Sequence, residues 1–100
     1  MIAAGSDNQV IGNEASGTSD GMSVGPFTAG TLLQGNYAHG NGDDGIDVRG
    51  TATRLQGNRA DDNGDFGIDA VAGVTDAGGN TAAGSGNPLQ CRNVFCAASP

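Results

Sequence analysis

The run from Gly35 to Val48 (Gly-Asn-Tyr-Ala-His-Gly-Asn-Gly-Asp-Asp-Gly-Ile-Asp-Val) recurs 22 residues later, from Gly57 to Ala70, as Gly-Asn-Arg-Ala-Asp-Asp-Asn-Gly-Asp-Phe-Gly-Ile-Asp-Ala. Degenerate copies open at Gly12-Asn13-Glu14-Ala15 and Gly79-Asn80-Thr81-Ala82, so Gly-Asn-x-Ala appears four times at intervals of 23, 22 and 22. A fixed period in the twenties means that each repeat is one supersecondary unit, stabilised by stacking on its neighbours rather than by a core of its own. Leucine-rich repeats share the period but need several Leu per copy, and the column Val10, Leu33, Leu55 is interrupted by Gly and Asp.

Three short strands per repeat fit the residues better. In Gly45-Ile46-Asp47-Val48 and Gly67-Ile68-Asp69-Ala70, alternation puts Ile46, Val48, Ile68 and Ala70 on one face and Asp47 and Asp69 on the other. A second strand begins at Thr31-Leu32-Leu33-Gln34 and Thr53-Arg54-Leu55-Gln56, and a third carries the column Ala15, Ala38, Ala60 and Ala82. No stretch reads as a helix. Gly and Asn mark the corners because both tolerate the left-handed backbone that sharp turns require. Stacked coils place Asn13, Asn36, Asn58 and Asn80 above one another at the strand spacing of about 4.8 Å, where their amides can form a hydrogen-bonded ladder. A bare turn preference would not hold this register through four copies.

These repeats, covering roughly residues 8 to 87, resemble the C-terminal coils of a right-handed parallel β-helix protein of the pectin-lyase-like superfamily. The residues that carry the resemblance are Gly-Asn-x-Ala, Asn41-Gly42-Asp43-Asp44-Gly45-Ile46-Asp47 and Asn63-Gly64-Asp65-Phe66-Gly67-Ile68-Asp69. The resemblance implies an all-β right-handed parallel β-helix, a β-solenoid of about four coils with 22 residues and three short strands per coil. It also implies an extracellular or cell-surface setting. It says little about activity, because that superfamily includes lyases, epimerases, hydrolases and phage tailspikes.

The expected organisation is coils over residues 1–86 and a closing cap and tail over 87–100. Leu, Ile, Val and Phe total 17 in 100 residues with a net charge of −7, a composition that by itself would suggest disorder. A solenoid resolves the conflict, since its core is a thin column supplemented by ladder hydrogen bonds. Residues 13 to 30 are the least regular copy: Gly21-Met22-Ser23-Val24 matches the Gly-Ile-Asp-Val strand only with a one-residue deletion, and extra residues around Gly25-Pro26-Phe27 restore the phase. Residues 1 to 8 carry neither a signal peptide nor a cap for the first coil, so the chain reads as the C-terminal part of a longer protein, open to self-association through that coil.

Toward the other end, Leu89, Val94 and Phe95 are expected to fold over the last coil. Cys91 and Cys96 are spaced for a disulfide across a tight turn, with a pair of buried thiols as the alternative. A disulfide favours export.

The acidic residues are the candidates for chemistry. Asp47 and Asp69 project from adjacent strands with Arg49 close by, a carboxylate row that could contact sugar or Ca²⁺, while a solvated face is the plain alternative. No metal ligand set is assigned, because a nine-residue calcium repeat fails on period: the residue after Asp44 in its column is Phe66. No catalytic residue is assigned either. The Asp-Asp pairs at 43–44 and 61–62 look like the paired acids of inverting glycosidases, but the other motifs of the polygalacturonase and mannuronan epimerase branches are missing. His39 is the lone histidine and is expected at a surface corner.

Four Arg and no Lys exclude nucleic acid and anionic membranes as partners. The reading that remains is a non-catalytic segment, structural or weakly binding an acidic or neutral polysaccharide. Its alternatives are the tail of a polysaccharide lyase, epimerase or hydrolase with its catalytic residues on upstream coils, and a calcium-binding solenoid.

Overall fold

The computed structural model describes all 100 residues, and no residue is helical. The first coil is β1 (Ile2–Ala3), β2 (Gln9–Ile11) and β3 (Glu14–Ser16), and the second is β4 (Met22–Val24), β5 (Ala29–Gln34) and β6 (Tyr37–His39). The third is β7 (Ile46–Val48), β8 (Ala52–Gln56) and β9 (Arg59–Asp61); the fourth is β10 (Ile68–Ala70), β11 (Thr75–Asp76) and β12 (Thr81–Ala83). Two last strands, β13 (Cys91–Arg92) and β14 (Ala97–Ala98), begin a further turn.

Corresponding strands of successive coils pair in parallel and build three sheets. Sheet A runs β1-β4-β7-β10-β13, sheet B β2-β5-β8-β11, and sheet C β3-β6-β9-β12-β14. The chain is thus a parallel β-solenoid of about four coils. Its register follows the repeat: Ile46 pairs with Ile68 and Ala38 with Ala60, while Met22 pairs with Ile46 across a longer interval of 24 residues. The slack in that interval is taken up at the corner after β4 and at a bulge between Ala29 and Thr31, near the position anticipated from Gly25-Pro26-Phe27.

One narrow core runs the length of the molecule. Sheet A contributes Met22, Ile46, Ile68 and Cys91 in one column and Val24, Val48 and Ala70 in another, sheet B contributes Leu33 and Leu55, and sheet C contributes Ala38, Ala60 and Ala82. Sheet C carries Ala because the corner leading into sheet A passes close behind it. A Cβ added at Gly45 would lie 3.1 Å from the Ala60 Cβ and 2.7 Å from the Gly67 carbonyl oxygen, so that corner takes Gly and its neighbour takes the smallest side chain. Thr31 and Thr53, the outermost inward residues of sheet B, are also buried.

The Asn ladder is present. The left-handed residue at the corner is the glycine, with φ of 64° at both Gly35 and Gly57, and the following Asn turns its side chain inward. The Asn36 amide N–H and Nδ2 donate to Asn58 Oδ1 at 3.1 and 2.9 Å, and Asn58 donates likewise to Asn80 Oδ1 at 3.0 and 3.1 Å. Asn13 starts the ladder by donating to Asn36 Oδ1. The second Nδ2 proton reaches a carbonyl of the preceding coil, from Asn36 to Val10 and from Asn58 to Leu33. Every donor and acceptor of the buried Asn36, Asn58 and Asn80 side-chain amides is therefore matched, which makes burial of a polar column tolerable.

A second ladder lies at the corner between sheets C and A. Asn41 donates through its backbone N–H and Nδ2 to Asn63 Oδ1 at 3.1 and 2.9 Å, Thr18 bonds to Asn41 Oδ1, and the Asn63 N–H donates to Ser85 Oγ. Asn41 and Asn63 also sit 22 residues apart, so the signal was in the repeat but read as turn chemistry.

The C-terminal end differs from expectation. Leu89 and Phe95 stay exposed, while Cys91 and Cys96 form the expected disulfide, with Cα atoms 6.1 Å apart. Cys91 stacks on Ile68, and the chain then crosses from sheet A directly to sheet C without a strand in sheet B. That shortcut lays Val94, 6% exposed, on the core. Residues 87–100 thus supply both the crossover and two strands that extend the sheets.

Candidate functional site

The outward column of sheet A carries Ser23, Asp47, Asp69 and Arg92 in register, so Asp47 and Asp69 do share one face. Arg49 follows β7 and lies between them, its Nε 3.0 Å from Asp47 Oδ1 and its Nη2 3.8 Å from Asp69 Oδ2. The predicted trio is therefore assembled. Its surroundings are not those of an open sheet.

Arg92, which the repeat could not predict because Cys-Arg-Asn-Val has no upstream counterpart, grips Asp69 with one edge of its guanidinium: Nε to Oδ1 at 2.7 Å and Nη2 to Oδ2 at 2.9 Å. The same guanidinium lies 5.0 Å from the centre of the Phe66 ring. These contacts bury Asp69, which strand alternation had placed toward solvent. The correction has a simple cause. Alternation says which side of a strand faces away from the core, not whether a neighbouring coil covers that side.

Asp44 sits behind this row and is 4% exposed. Its Oδ1 accepts the Phe66 N–H at 3.0 Å, while its own N–H donates to Asp20 Oδ1 at 3.0 Å. No cation pairs with it. Burial, opposed by the Phe66 hydrogen bond and aided by Asp43, Asp69 and Asp20, pushes the Asp44 carboxyl from 3.8 up to about 7. Burial also raises Asp47, against the pull of the Arg49 charge. The Arg49 Nε–H is not aligned with Asp47 Oδ1, so that buried oxygen is held by charge without a directed hydrogen bond.

Carboxylate oxygens of Asp44, Asp47 and Asp69 lie within 4.8 Å of one another, as do those of Asp20, Asp43 and Asp44. A calcium shell takes six to eight oxygens. Asp69 and Asp47 already face guanidinium groups, and these two aspartates balance Arg49 and Arg92 in charge, while Asp44, with its carboxyl at about 7, is only partly ionised at neutral pH. The cluster is thus largely self-neutralised near pH 7, and Arg49, whose side chain is 50% exposed, is its accessible edge.

His39 is on strand β6 rather than at a corner. Its Nε2 is 2.6 Å from Glu14 Oε2, and its ring stacks on Tyr37 with centroids 4.4 Å apart. Arg59 covers the Tyr37 ring and pairs with Asp61 at 2.6 Å, and Ser99 also bonds to Asp61. The outer face of sheet C is closed by its own ion pairs.

The outer face of sheet B forms an open groove of about 440 Å³ over β5, β8 and β11. Leu32, Arg54 and Thr75 stand in register across it, with Gln34 and Gln56 paired two residues further on. No protein-family model, curated protein or solved structure matches the chain.

Proposed function

We propose that this chain is a non-catalytic segment of a right-handed β-helix of the pectin-lyase-like kind, structural or weakly carbohydrate-binding, and that it belongs to an exported protein. The observation that carries the reading is the internal neutralisation of the acidic row. A general base needs a free lone pair within reach of substrate and a pKa suited to the transfer. Asp69 has both oxygens engaged by Arg92, and Asp44 is buried with one oxygen committed to a backbone amide. The Cys91–Cys96 disulfide supports an oxidising destination.

Saccharide contact at this face would run through Arg49, the half-exposed edge of the row, with Asp47 beside it and Asp69 held back by Arg92. Incubation with polygalacturonate and with alginate, with and without Ca²⁺, tests the reading. Neither unsaturated product nor new reducing ends are expected to form. Turnover that disappears in Arg49→Ala would overturn the assignment and move the chain among the lyases.

A further inference from the structure

Cys91 and Cys96 hold positions that earlier coils fill with other chemistry. Cys91 continues the core column after Ile46 and Ile68, and Cys96 stands directly before β14 as Asn36, Asn58 and Asn80 stand before β6, β9 and β12. Sulfur thus takes the place of the ladder amide, and the disulfide crosses an interior that earlier coils close with a strand of sheet B. Asp76 ends the ladder: its Oδ1 accepts the Asn80 Nδ2 at 3.2 Å and its Oδ2 accepts the Phe95 N–H at 2.9 Å. Little else holds this turn. β13 and β14 are two residues each and pair on one side only, and Asn93 between them, with φ of 60°, donates through Nδ2 to the Ala70 carbonyl at 2.8 Å. Arg92, the residue that grips Asp69, lies inside the loop that the disulfide closes.

We infer that the Cys91–Cys96 bond is a redox latch on the acidic row: closed, it seats Arg92 on Asp69; opened by a dithiol, it frees the last turn and leaves Asp47 and Asp69 with Arg49 alone. The inference rests on the reading that the row is neutralised by its arginines, and makes that neutralisation a property of the oxidised chain, acquired where disulfides form. The step is thiol–disulfide exchange. A thiolate of the dithiol attacks Sγ of Cys96, the more exposed of the two, and the Cys91 thiolate leaves and takes up a proton. The second thiol then displaces Cys96 from the mixed disulfide, so the protein gains two electrons and two protons and the dithiol becomes a disulfide.

Opening the bond reaches Arg92 because short edge strands are marginal by themselves, and cutting the covalent loop returns chain entropy to the residues within it. The coupling is reciprocal: a contact that favours the closed turn must also oppose reduction. Loss of the charge-assisted pair in Arg92→Gln is therefore expected to move the exchange constant about tenfold toward the thiols, equivalent to about 30 mV. A bridge with a merely structural role would be indifferent to that substitution.

Two-dimensional NMR of the intact chain, oxidised and then reduced with dithiothreitol, tests the latch, together with equilibration in mixtures of reduced and oxidised dithiothreitol. The oxidised chain is expected to show an Arg92 Nε–H protected from exchange. Reduction should abolish that protection and shift the Asp69 amide, while the Asn36 and Asn58 amides keep their positions. Arg54→Gln, on the outer face of sheet B, should leave the exchange constant at the parent value. An Arg92 Nε–H protected in both redox states, or one exchange constant for Arg92→Gln and the parent, would overturn the latch while leaving the neutralised row intact. Loss of the Asn36 and Asn58 signals on reduction would also overturn it, by showing a bond that holds the whole solenoid. An unprotected Arg92 Nε–H in the oxidised chain would overturn both readings.

Discussion

Asp44 and Phe66 occupy the same place in successive coils, and the Phe66 amide donates to the Asp44 carboxylate at 3.0 Å. The column thus runs from Asp20 through Asp44 to the Phe66 ring, each carboxyl accepting from the next coil's amide. The column also explains why burial dominates the titration of Asp44, since the next coil covers it with an apolar residue and no cation.

The sign of the pH effect follows. The folded-state pKa of about 7 lies above the ordinary 3.8, so the folded form holds the proton more tightly. Stability from this group is complete below about pH 4 and is lost as pH rises toward 7. Its ceiling is about 4 kcal/mol, the free-energy equivalent of that pKa difference. Asp44→Asn keeps the acceptor for Phe66 and removes the charge, so urea melts from pH 4 to 8 should show a shallower decline and a variant more stable than the parent at pH 8. Parallel curves for the two proteins would show that Asp44 titrates normally.

Replacing Asn58 tests the ladder at its centre. Asn58→Ala strands the Asn36 N–H and Nδ2 donors and the Leu33 carbonyl, and a loss of about 3–5 kcal/mol is expected from several buried unsatisfied groups. Asn13→Ala, at the partly exposed end, should cost about 1 kcal/mol. Similar midpoints for the two variants on urea denaturation would contradict a cooperative column.

Asp62 adopts φ of 55° at a corner where neighbouring coils have Gly40 at 63° and Gly84 at 71°. A left-handed backbone is costly for a residue with a Cβ, and no hydrogen bond of its side chain offsets that cost. Asp62→Gly is therefore expected to stabilise the chain by about 0.5–1 kcal/mol, and Gly40→Ala to destabilise it by about 1 kcal/mol. Thermal melts of both decide it, and a lower midpoint for Asp62→Gly would be the contrary outcome.

Ile68 and Asp69 are adjacent and both buried, for different reasons. Ile68→Asp places an unpaired charge in the core column between Ile46 and Cys91 and should cost more than about 4 kcal/mol. Asp69→Ala should cost about 1–3 kcal/mol, because Arg92 is half exposed and can rehydrate once its partner is gone. Equal losses in urea would mean that the ionic cluster matters as much as the core.

That pair also shows how far the sequence could be read. The inward column Ile46–Ile68 and the Asn36–Asn58–Asn80 stack follow directly from a period of 22, because parallel coils bring equal positions together. The covering of Asp69 does not, since it depends on Arg92, a residue outside the repeat. The end of the solenoid was misjudged for a related reason. Of the three residues expected as a lid, Val94 does cover the core, but Leu89 and Phe95 stay exposed, because the Cys91–Cys96 bond closes a short last turn with room for one of them.

The most direct test of the account is a through-hydrogen-bond scalar coupling experiment on isotope-labelled protein, read from backbone nitrogens to side-chain carbonyl carbons. Parallel coils in register predict couplings from Asn36 N to Asn58 Cγ and from Asn58 N to Asn80 Cγ, each spanning 22 residues. Absence of both, or a coupling from either nitrogen to a residue at another spacing, would contradict the stacked-coil arrangement.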